Sequence, residues 1–383
     1  MNLVNANVLV SSGPGGSFWL ENTTLTLHDG YVAGINRMDP GHEVIDTRAL
    51  GITMLVPGFV DMHCHGGGGG SFPSGDVDQA RMAATFHLRH GTTSLLGSLV
   101  TAPHNELVAA CTQLAPLVRE GVLAGIHLEG PYLSHLRCGA QDPRWLRDPD
   151  PHEIDELFGV AGDTIRQVTI APELPGALAA IRQITSHGAV AALGHTNAEA
   201  HHIAAAVAAG ARIATHLCNA MPSLHHREPS STASMLTNPE IVCELIADGH
   251  HLSRSMFQTL TRTLGPGRWA LITDAISAAG QPDGKYALGS QSVSLSNGQV
   301  RLVDTPNNAL AGSVLTMDQA LRNAISWGVD PILASESASL SAAMALGLDQ
   351  KTGRIALDAP ANIVGLNAEF DVVAVWKQGT RVR

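Results

Sequence analysis

His63 and His65 stand two residues apart in the run Pro57-Gly-Phe-Val-Asp-Met-His63-Cys-His65-Gly66, which closes on five consecutive glycines. In an extended strand Val60, Met62 and Cys64 face one way and Asp61, His63 and His65 the other, so both imidazoles can reach one cation. The glycines let the backbone turn sharply beside such a site. A His-x-His pair is weak evidence taken alone, because histidine pairs are common outside metal sites.

Further along, apolar runs end on similar chemistry: Gly125-Ile-His127-Leu-Glu129-Gly-Pro131, Leu193-Gly-His195-Thr, Ala214-Thr-His216-Leu-Cys-Asn219, Ala247-Asp248-Gly-His250-His251 and Ile272-Thr-Asp274-Ala. Each has a structural alternative, since a strand-end His can be a hydrogen-bonded core residue and a strand-end Asp can cap the next helix. Gathered at one place, four histidines and a carboxylate suit Zn2+ or another borderline divalent cation. Such an ion polarises a carbonyl and makes bound water acidic. Hydrolysis also needs a proton shuttle near the metal but free of it, and Asp274 suits that role.

The elements that must gather these residues alternate along the middle of the chain. Buried-type strands are expected at Leu55–His63, Thr93–Leu99, Ala124–Leu128, Val168–Ala171, Ala189–Leu193, Arg212–His216, Val242–Ala247 and Trp269–Thr273. Helices are expected at Asp78–His90, Leu107–Arg119, Gly176–His187, Asn197–Ala209, Ser253–Leu264 and Leu315–Trp327. Strand then helix, eight times over, is the pattern of an α/β fold of the TIM-like (β/α)8 barrel type, whose active site lies at the C-terminal ends of the strands. An open doubly wound sheet is the alternative, but the glycines at 66–70 follow histidines and do not form a dinucleotide turn. Pro131–Asp150 is irregular and long enough for a lid. Lys285–Val303 reads as a hairpin turning at Ser296-Asn297-Gly298.

Residues 1–55 and 359–383 are short strands with turns, neither piece apolar enough to fold alone. A small β-sandwich domain built from both chain ends is expected, beside a catalytic barrel over 56–358. A chain of 383 residues that is 44% hydrophobic has material for a large core. The formal charge of −11 argues against nucleic acid as a partner, and any anionic substrate must be held by local donors. No stretch reads as a signal peptide or as a bilayer span, and five scattered cysteines without paired spacing suit a reducing compartment, so a cytoplasmic, membrane-free protein is expected.

The segments that carry this chemistry bear a resemblance. Pro-Gly-Phe-Val-Asp-Met-His-Cys-His-Gly, Gly-Ile-His-Leu-Glu-Gly-Pro-Tyr-Leu, Leu-Gly-His-Thr-Asn-Ala, Ala-Thr-His-Leu-Cys-Asn-Ala-Met, Ile-Ala-Asp-Gly-His-His, Leu-Ile-Thr-Asp-Ala and Leu-Ala-Gly-Ser-Val-Leu-Thr-Met occur in this order from residue 56 to about 317. In them the chain resembles the N-acetylglucosamine-6-phosphate deacetylase family of the amidohydrolase superfamily. The resemblance implies that Glu129, His195 and His216 hold the principal metal, and that His63 and His65 allow a second with Glu129 bridging, so one or two divalent ions, of which zinc is the expected kind. It implies that Asp274 is the general base and acid. Asn219, Ala220, Arg227 and His251 correspond to the sugar-phosphate contacts, with His251 supplied by a neighbouring subunit of a homodimer. Ala140 and Gln141 match a sugar-contacting pair on the lid, although a histidine is frequent where Gln141 stands, and Leu310 matches the acetyl pocket. The residues themselves leave Arg227 open between a phosphate contact and a surface pair with Glu228 or Glu240. Cys138, in His135-Leu-Arg-Cys138-Gly-Ala, is either a small lid residue or a thiol that reaches the metal.

The activity implied is hydrolysis of N-acetyl-D-glucosamine 6-phosphate to glucosamine 6-phosphate and acetate. N-acetylgalactosamine 6-phosphate differs by one axial hydroxyl, which no motif reads. A cyclic-amide hydrolase would more often carry a lysine on the fourth strand, and Val168-Thr-Ile-Ala171 has none. A non-catalytic barrel that senses sugar phosphates would not need Asp274.

Overall fold

The computed structural model describes residues 1–303, 305 and 308–383. Eight parallel strands pair in sequential order: β1 (Phe59–Asp61), β2 (Thr92–Leu99), β3 (Gly125–Glu129), β4 (Ile165–Ile170), β5 (Val190–Leu193), β6 (Ile213–Ala214), β7 (Val242–Ile246) and β8 (Trp269–Ile272). Thr92–Leu99 and Gly125–Glu129 are buried at every position, as expected of strands covered on both faces, which need no polar side. The sheet closes beyond its first and last strands. Asp274 N–H donates to His63 O at 2.9 Å and His65 N–H to Ala275 O at 2.7 Å, while the Asp61 carboxylate accepts from Thr273 N–H and Oγ1–H. The closure thus lies directly beneath the His63 and His65 side chains.

A helix follows every strand: α1 (Val77–Arg89), α2 (His104–Arg119), α3 (Pro151–Ala161), α4 (Ala177–Ser186), α5 (Ala200–Ala209), α6 (Ser231–Thr237), α7 (Arg254–Leu264) and α8 (Met317–Ser326). α7 shows how they dock, burying Phe257, Leu260, Thr261 and Leu264 along one stripe. Two of these eight helices go beyond the sequence reading, as do two short ones after them, Pro331–Ser337 and Leu340–Ala345. The start of α3 is marked by Asp150, whose side chain accepts from His152 N–H, followed by Pro151 in the first turn, a usual start signal. α6 is one short turn-rich segment capped by Ser230, and its Ser and Thr content hides it.

The expected strand Leu55–His63 is two strands. Met54–Pro57 pairs with Asn2–Ser11 and with Ile363–Leu366, and the chain then passes Gly58 into β1. A Cβ on Gly58 would lie 2.2 Å from Thr93 Oγ1, so only glycine lets the backbone cross there. The histidines accordingly follow the strand rather than end it. Strands from both chain ends share one eight-stranded sheet with its own apolar core around Leu25, Ile52 and Trp376. The small β unit expected from both chain ends is thereby formed, with hydrogen bonding continuous through its sheet.

The expected hairpin near 285–303 is present, turning at Asn297 and Gly298 with φ of 50° and 76°. It belongs to a three-stranded sheet, Gly284–Leu288, Gln291–Ser296 and Gln299–Leu302, because a further turn at Gly289-Ser290 adds a strand. Segment 131–150 carries only a short helical turn at His135–Arg137 and lies across the strand ends. Among the described residues no helix is long and apolar enough to cross a membrane.

Candidate metal centre and active site

The strand ends bring two clusters of ligating atoms into contact, one of His63, His65 and Asp274 and one of Glu129, His195 and His216. All six side chains are buried or nearly so, from His63 at 0% exposed to Asp274 at 7%. Glu129 lies between the clusters. Its Oε1 is 3.0 Å from His195 Nε2 and 2.9 Å from His216 Nε2, and its Oε2 is 3.2 Å from His65 Nε2. Asp274 Oδ1 is 3.5 Å from His63 Nε2 and 3.3 Å from His65 Nε2. His195, His216 and Asp274 have φ of 47°, 28° and 49°, left-handed values that each cost a non-glycine residue about 1–3 kcal/mol and that cluster where function holds them.

The far side of each ring fixes what its near side can do. Nδ1 of His63 lies 3.0 Å from Glu244 Oε2, that of His65 3.1 Å from Ser98 O, and that of His195 2.9 Å from Arg137 O. All three partners accept, so each Nδ1 carries a proton and each Nε2 is left facing the centre, to take either a cation or a second proton. These atoms meet at close range: Nε2 to Nε2 is 3.2 Å between His63 and His65 and 3.1 Å between His195 and His216, the last being a ring whose Nδ1 has no partner. Lone pairs facing one another and a carboxylate repel unless positive charge sits among them. Nitrogen and oxygen donors so arranged fit a divalent cation at each cluster.

The titration behaviour of the residues follows the same logic. Burial pushes the Glu129 carboxyl up, but the His63 charge and hydrogen bonds from His195 and His216 hold it well below the usual range. Burial works against charge on His65, yet hydrogen bonds to Asp274 and Glu129 raise it to about 9. Asp274 is lowered despite its burial, by His63 and then by the His65 hydrogen bond. Where no cation is present, protons are drawn in.

Beside the clusters lies a pocket of about 220 Å³ whose lining includes His65, Glu129, His195, His216 and Asp274. Ala140, Gln141, Asn219, Ala220, His251 and Leu310 also line it, and His63 sits beneath. Gln141 is oriented without ambiguity: its Oε1 accepts from Thr101 N–H at 2.8 Å, so its Nε2 donates to Glu129 Oε2 at 2.6 Å. His251 belongs to this chain's own pocket, with Nδ1 2.7 Å from Asp248 Oδ2, which corrects the expectation that a neighbouring subunit brings it. Burial lowers the His251 pKa and the Asp248 hydrogen bond lifts it, with a net rise.

Two candidates are not in the pocket lining. Arg227 is on an exposed loop, and the surface pair with Glu240 does not form, because Glu240 pairs with Arg212 instead. Among the described lining residues there is no lysine or arginine. Cys138 is half-buried, its sulfur is in neither cluster, and burial pushes its thiol up, away from the thiolate a metal would need.

Several contributors escape the sequence reading. Leu288, in the three-stranded insertion, and Ala309, beyond its last strand, wall the pocket from a stretch whose sequence reads only as a turn and strands. Glu244 and Gln167 face the barrel interior from β7 and β4, and a carboxylate inside the apolar run Val242–Ile246 is a signal that could have found Glu244. His127 has the structural role: Nδ1 meets Ser98 Oγ and Nε2 meets Thr169 Oγ1, each at 2.9 Å. Burial and then the neighbouring His63 hold it well below its ordinary pKa.

Residues 54–382 match the amidohydrolase family. The chain is 33% identical over 373 residues to an N-acetylglucosamine-6-phosphate deacetylase of Vibrio furnissii, covering 96% of this chain and 92% of the relative. It is 36% identical over 366 residues to an N-acetylgalactosamine-6-phosphate deacetylase of Escherichia coli O157:H7, covering 94% and 95%. Among solved structures it resembles a mutant N-acetyl-D-glucosamine-6-phosphate deacetylase from Mycobacterium smegmatis in complex with N-acetyl-D-glucosamine-6-phosphate. The TM-score is 0.92 at 38% identity, covering 100% of this chain and 99% of that one.

Proposed function

Since the chain belongs to the amidohydrolase family, we propose that it is a metal-dependent deacetylase that converts N-acetyl-D-glucosamine 6-phosphate and water to D-glucosamine 6-phosphate and acetate. The observation that carries this reading is Asp274, a carboxylate within 3.5 Å of two imidazoles whose lone pairs converge, at the edge of a sugar-sized pocket. Glu129, His195 and His216 would hold one divalent ion, and His63 and His65 a second with Glu129 shared, zinc being the ion that suits nitrogen-rich donors. Bound there, a divalent cation supplies Lewis acidity, polarising an amide carbonyl and bringing the pKa of water from about 15.7 toward 7.

The chain's own residues do the rest. Asp274, a buried carboxyl beside the cation sites, accepts a proton from the attacking water. The new C–O bond forms as that proton arrives, and the C–N bond breaks when the same carboxyl returns it to the nitrogen, so acetic acid and a neutral amine form and the acid then gives up its proton as acetate. Leu310 packs against the acetyl methyl, while Ala140, Gln141, Asn219 and Ala220 contact the sugar along the pocket wall. His251, whose pKa the Asp248 hydrogen bond lifts against its burial, faces the phosphate. A single imidazolium is little for a dianion, and Arg227 is exposed and free of Glu240. We therefore assign a homodimer in which the Arg227 loop of a second copy completes the phosphate site, in the cytoplasm, where sugar phosphates occur.

Residues 1–55 with 359–383 form the small β domain in this reading and 56–358 the catalytic domain. The 36% identical relative makes N-acetylgalactosamine 6-phosphate the second candidate substrate. Acetate release from both amino-sugar phosphates and from unphosphorylated N-acetylglucosamine tests the assignment. Preference for the gluco phosphate is expected; a preference for the galacto isomer would move the assignment to that substrate, and equal use of the unphosphorylated sugar would contradict the phosphate site.

A further inference from the structure

Glu244 is wholly buried in β7, between Cys243 and Leu245 and with Ile246 beyond, in a stretch of barrel wall where fold stability asks for an apolar side chain. Every partner it has is a donor. Its Oε2 accepts from His63 Nδ1 at 3.0 Å and from His216 N–H at 3.1 Å, and its Oε1 accepts from Gln167 Nε2 at 2.7 Å. Main-chain and amide N–H groups can only donate, so the carboxyl takes part as an acceptor at both oxygens. One of those oxygens therefore ties the two halves of the centre together: the ring of His63 from the first cluster and the backbone of His216 from the second. The backbone tie matters because Nδ1 of His216 has no hydrogen-bond partner to orient its ring.

We propose that Glu244 is a positioning residue of the metal centre, which holds His63 as the Nδ1–H tautomer and pins the main chain of His216, so that both clusters present lone pairs to cations at a fixed separation. The inference rests on the reading of the clusters as metal sites. Acceptors behind metal-bound histidines fix ring orientation and raise ligand basicity, and their loss weakens metal binding. A purely structural role, by contrast, would leave metal affinity untouched once the variant had folded.

Two variants separate these roles. Glu244→Gln keeps an oxygen toward His63 and His216, and Gln167, whose Oε1 has no partner, can turn its amide to accept from the new NH2 group. Glu244→Leu keeps the volume and removes the acceptor. Metal-stripped parental protein and both variants are titrated with Zn2+ against a chromophoric chelator, with folding checked by thermal unfolding of the metal-free chains. The parental chain and Glu244→Gln should load alike, whereas Glu244→Leu should bind at least one equivalent about 10–100-fold more weakly. Should the leucine variant not fold, Glu244→Ala takes its place with the same expected loss. Parental affinity in the folded leucine or alanine variant would overturn the inference alone, as would an equal loss in the glutamine variant, which would point to charge rather than to positioning. A parental chain that takes up no zinc would overturn the metal reading and this inference with it.

Discussion

The two halves of the proposed metal centre are built differently. The first half, His63, His65 and Asp274, is braced entirely by the barrel: Glu244 and Ser98 hold the rings, and the sheet closure of Asp61, Thr273 and Ala275 runs beneath them. The second half, Glu129, His195 and His216, leans on the lid. Arg137 O holds the His195 ring, Ser134 N–H donates to His195 O at 3.0 Å, and Gln141 donates to Glu129. The residue proposed as proton shuttle thus stands in the half braced by the barrel, and the other half shares its bracing with segment 131–150. Glu129 is the single side chain that belongs to both.

The sharpest way to break this comparison is to remove the shuttle from the half braced by the barrel. Asp274→Asn should lower kcat by about 10²–10⁴-fold, the usual contribution of a positioned acid–base group, with KM little changed. Near-normal turnover in steady-state assays would remove Asp274 from the chemistry. Next comes the shared ligand. Glu129→Ala should lose metal from both halves, whereas His65→Asn should lose it from the first half only, and elemental analysis of the purified chains reads the difference. Equal metal content in the two variants would mean that the halves do not share Glu129.

His251 sharpens the picture at the pocket's far end. Its charge-assisted bond is worth about 1.5–3 kcal/mol, so His251→Asn should raise KM for the phosphorylated substrate by about 10–100-fold while sparing kcat. The sign of its pH dependence follows from its partner. Burial alone would lower the imidazole, but Asp248 raises it above its ordinary value, so the cation persists above pH 6.5 and is lost as pH rises through the higher folded pKa. Parental KM should therefore climb on the alkaline side, and the His251→Asn profile should be flat there; a parental KM that instead falls with rising pH would contradict the assignment. Gln141→Leu removes one neutral donor from Glu129, an effect of about 1 kcal/mol and thus a several-fold loss in kcat/KM. Cys138→Ser should change neither metal content nor turnover, since the thiol lies outside both clusters.

How much of this could be read from the sequence also divides along the two halves and their surroundings. That His63, His65, Glu129, His195, His216 and Asp274 come together was legible, because histidines and acids recur at the ends of apolar runs, although His127 shows that such a residue can also be structural. The strand–helix alternation was legible too, each strand being buried on both faces. Gly58 was not, since its role depends on Thr93 lying against it from a neighbouring strand. Nor were the braces: Glu244, Gln167 and Ser98 sit on three different strands and become one support only when the sheet closes. The expected source of His251, a neighbouring subunit, came from the family resemblance, whereas the side chain lines this chain's own pocket.

The central claim is that these converging lone pairs hold a catalytic cation. It is tested most directly by stripping the parental protein with a chelator, confirming by elemental analysis that it is metal-free, and following acetate release from N-acetyl-D-glucosamine 6-phosphate as Zn2+ is added back. The account predicts negligible release from the stripped chain and activity that rises with zinc until the sites are filled. Full activity in the metal-free chain, or none after zinc is restored to a folded chain that binds it, would contradict the account.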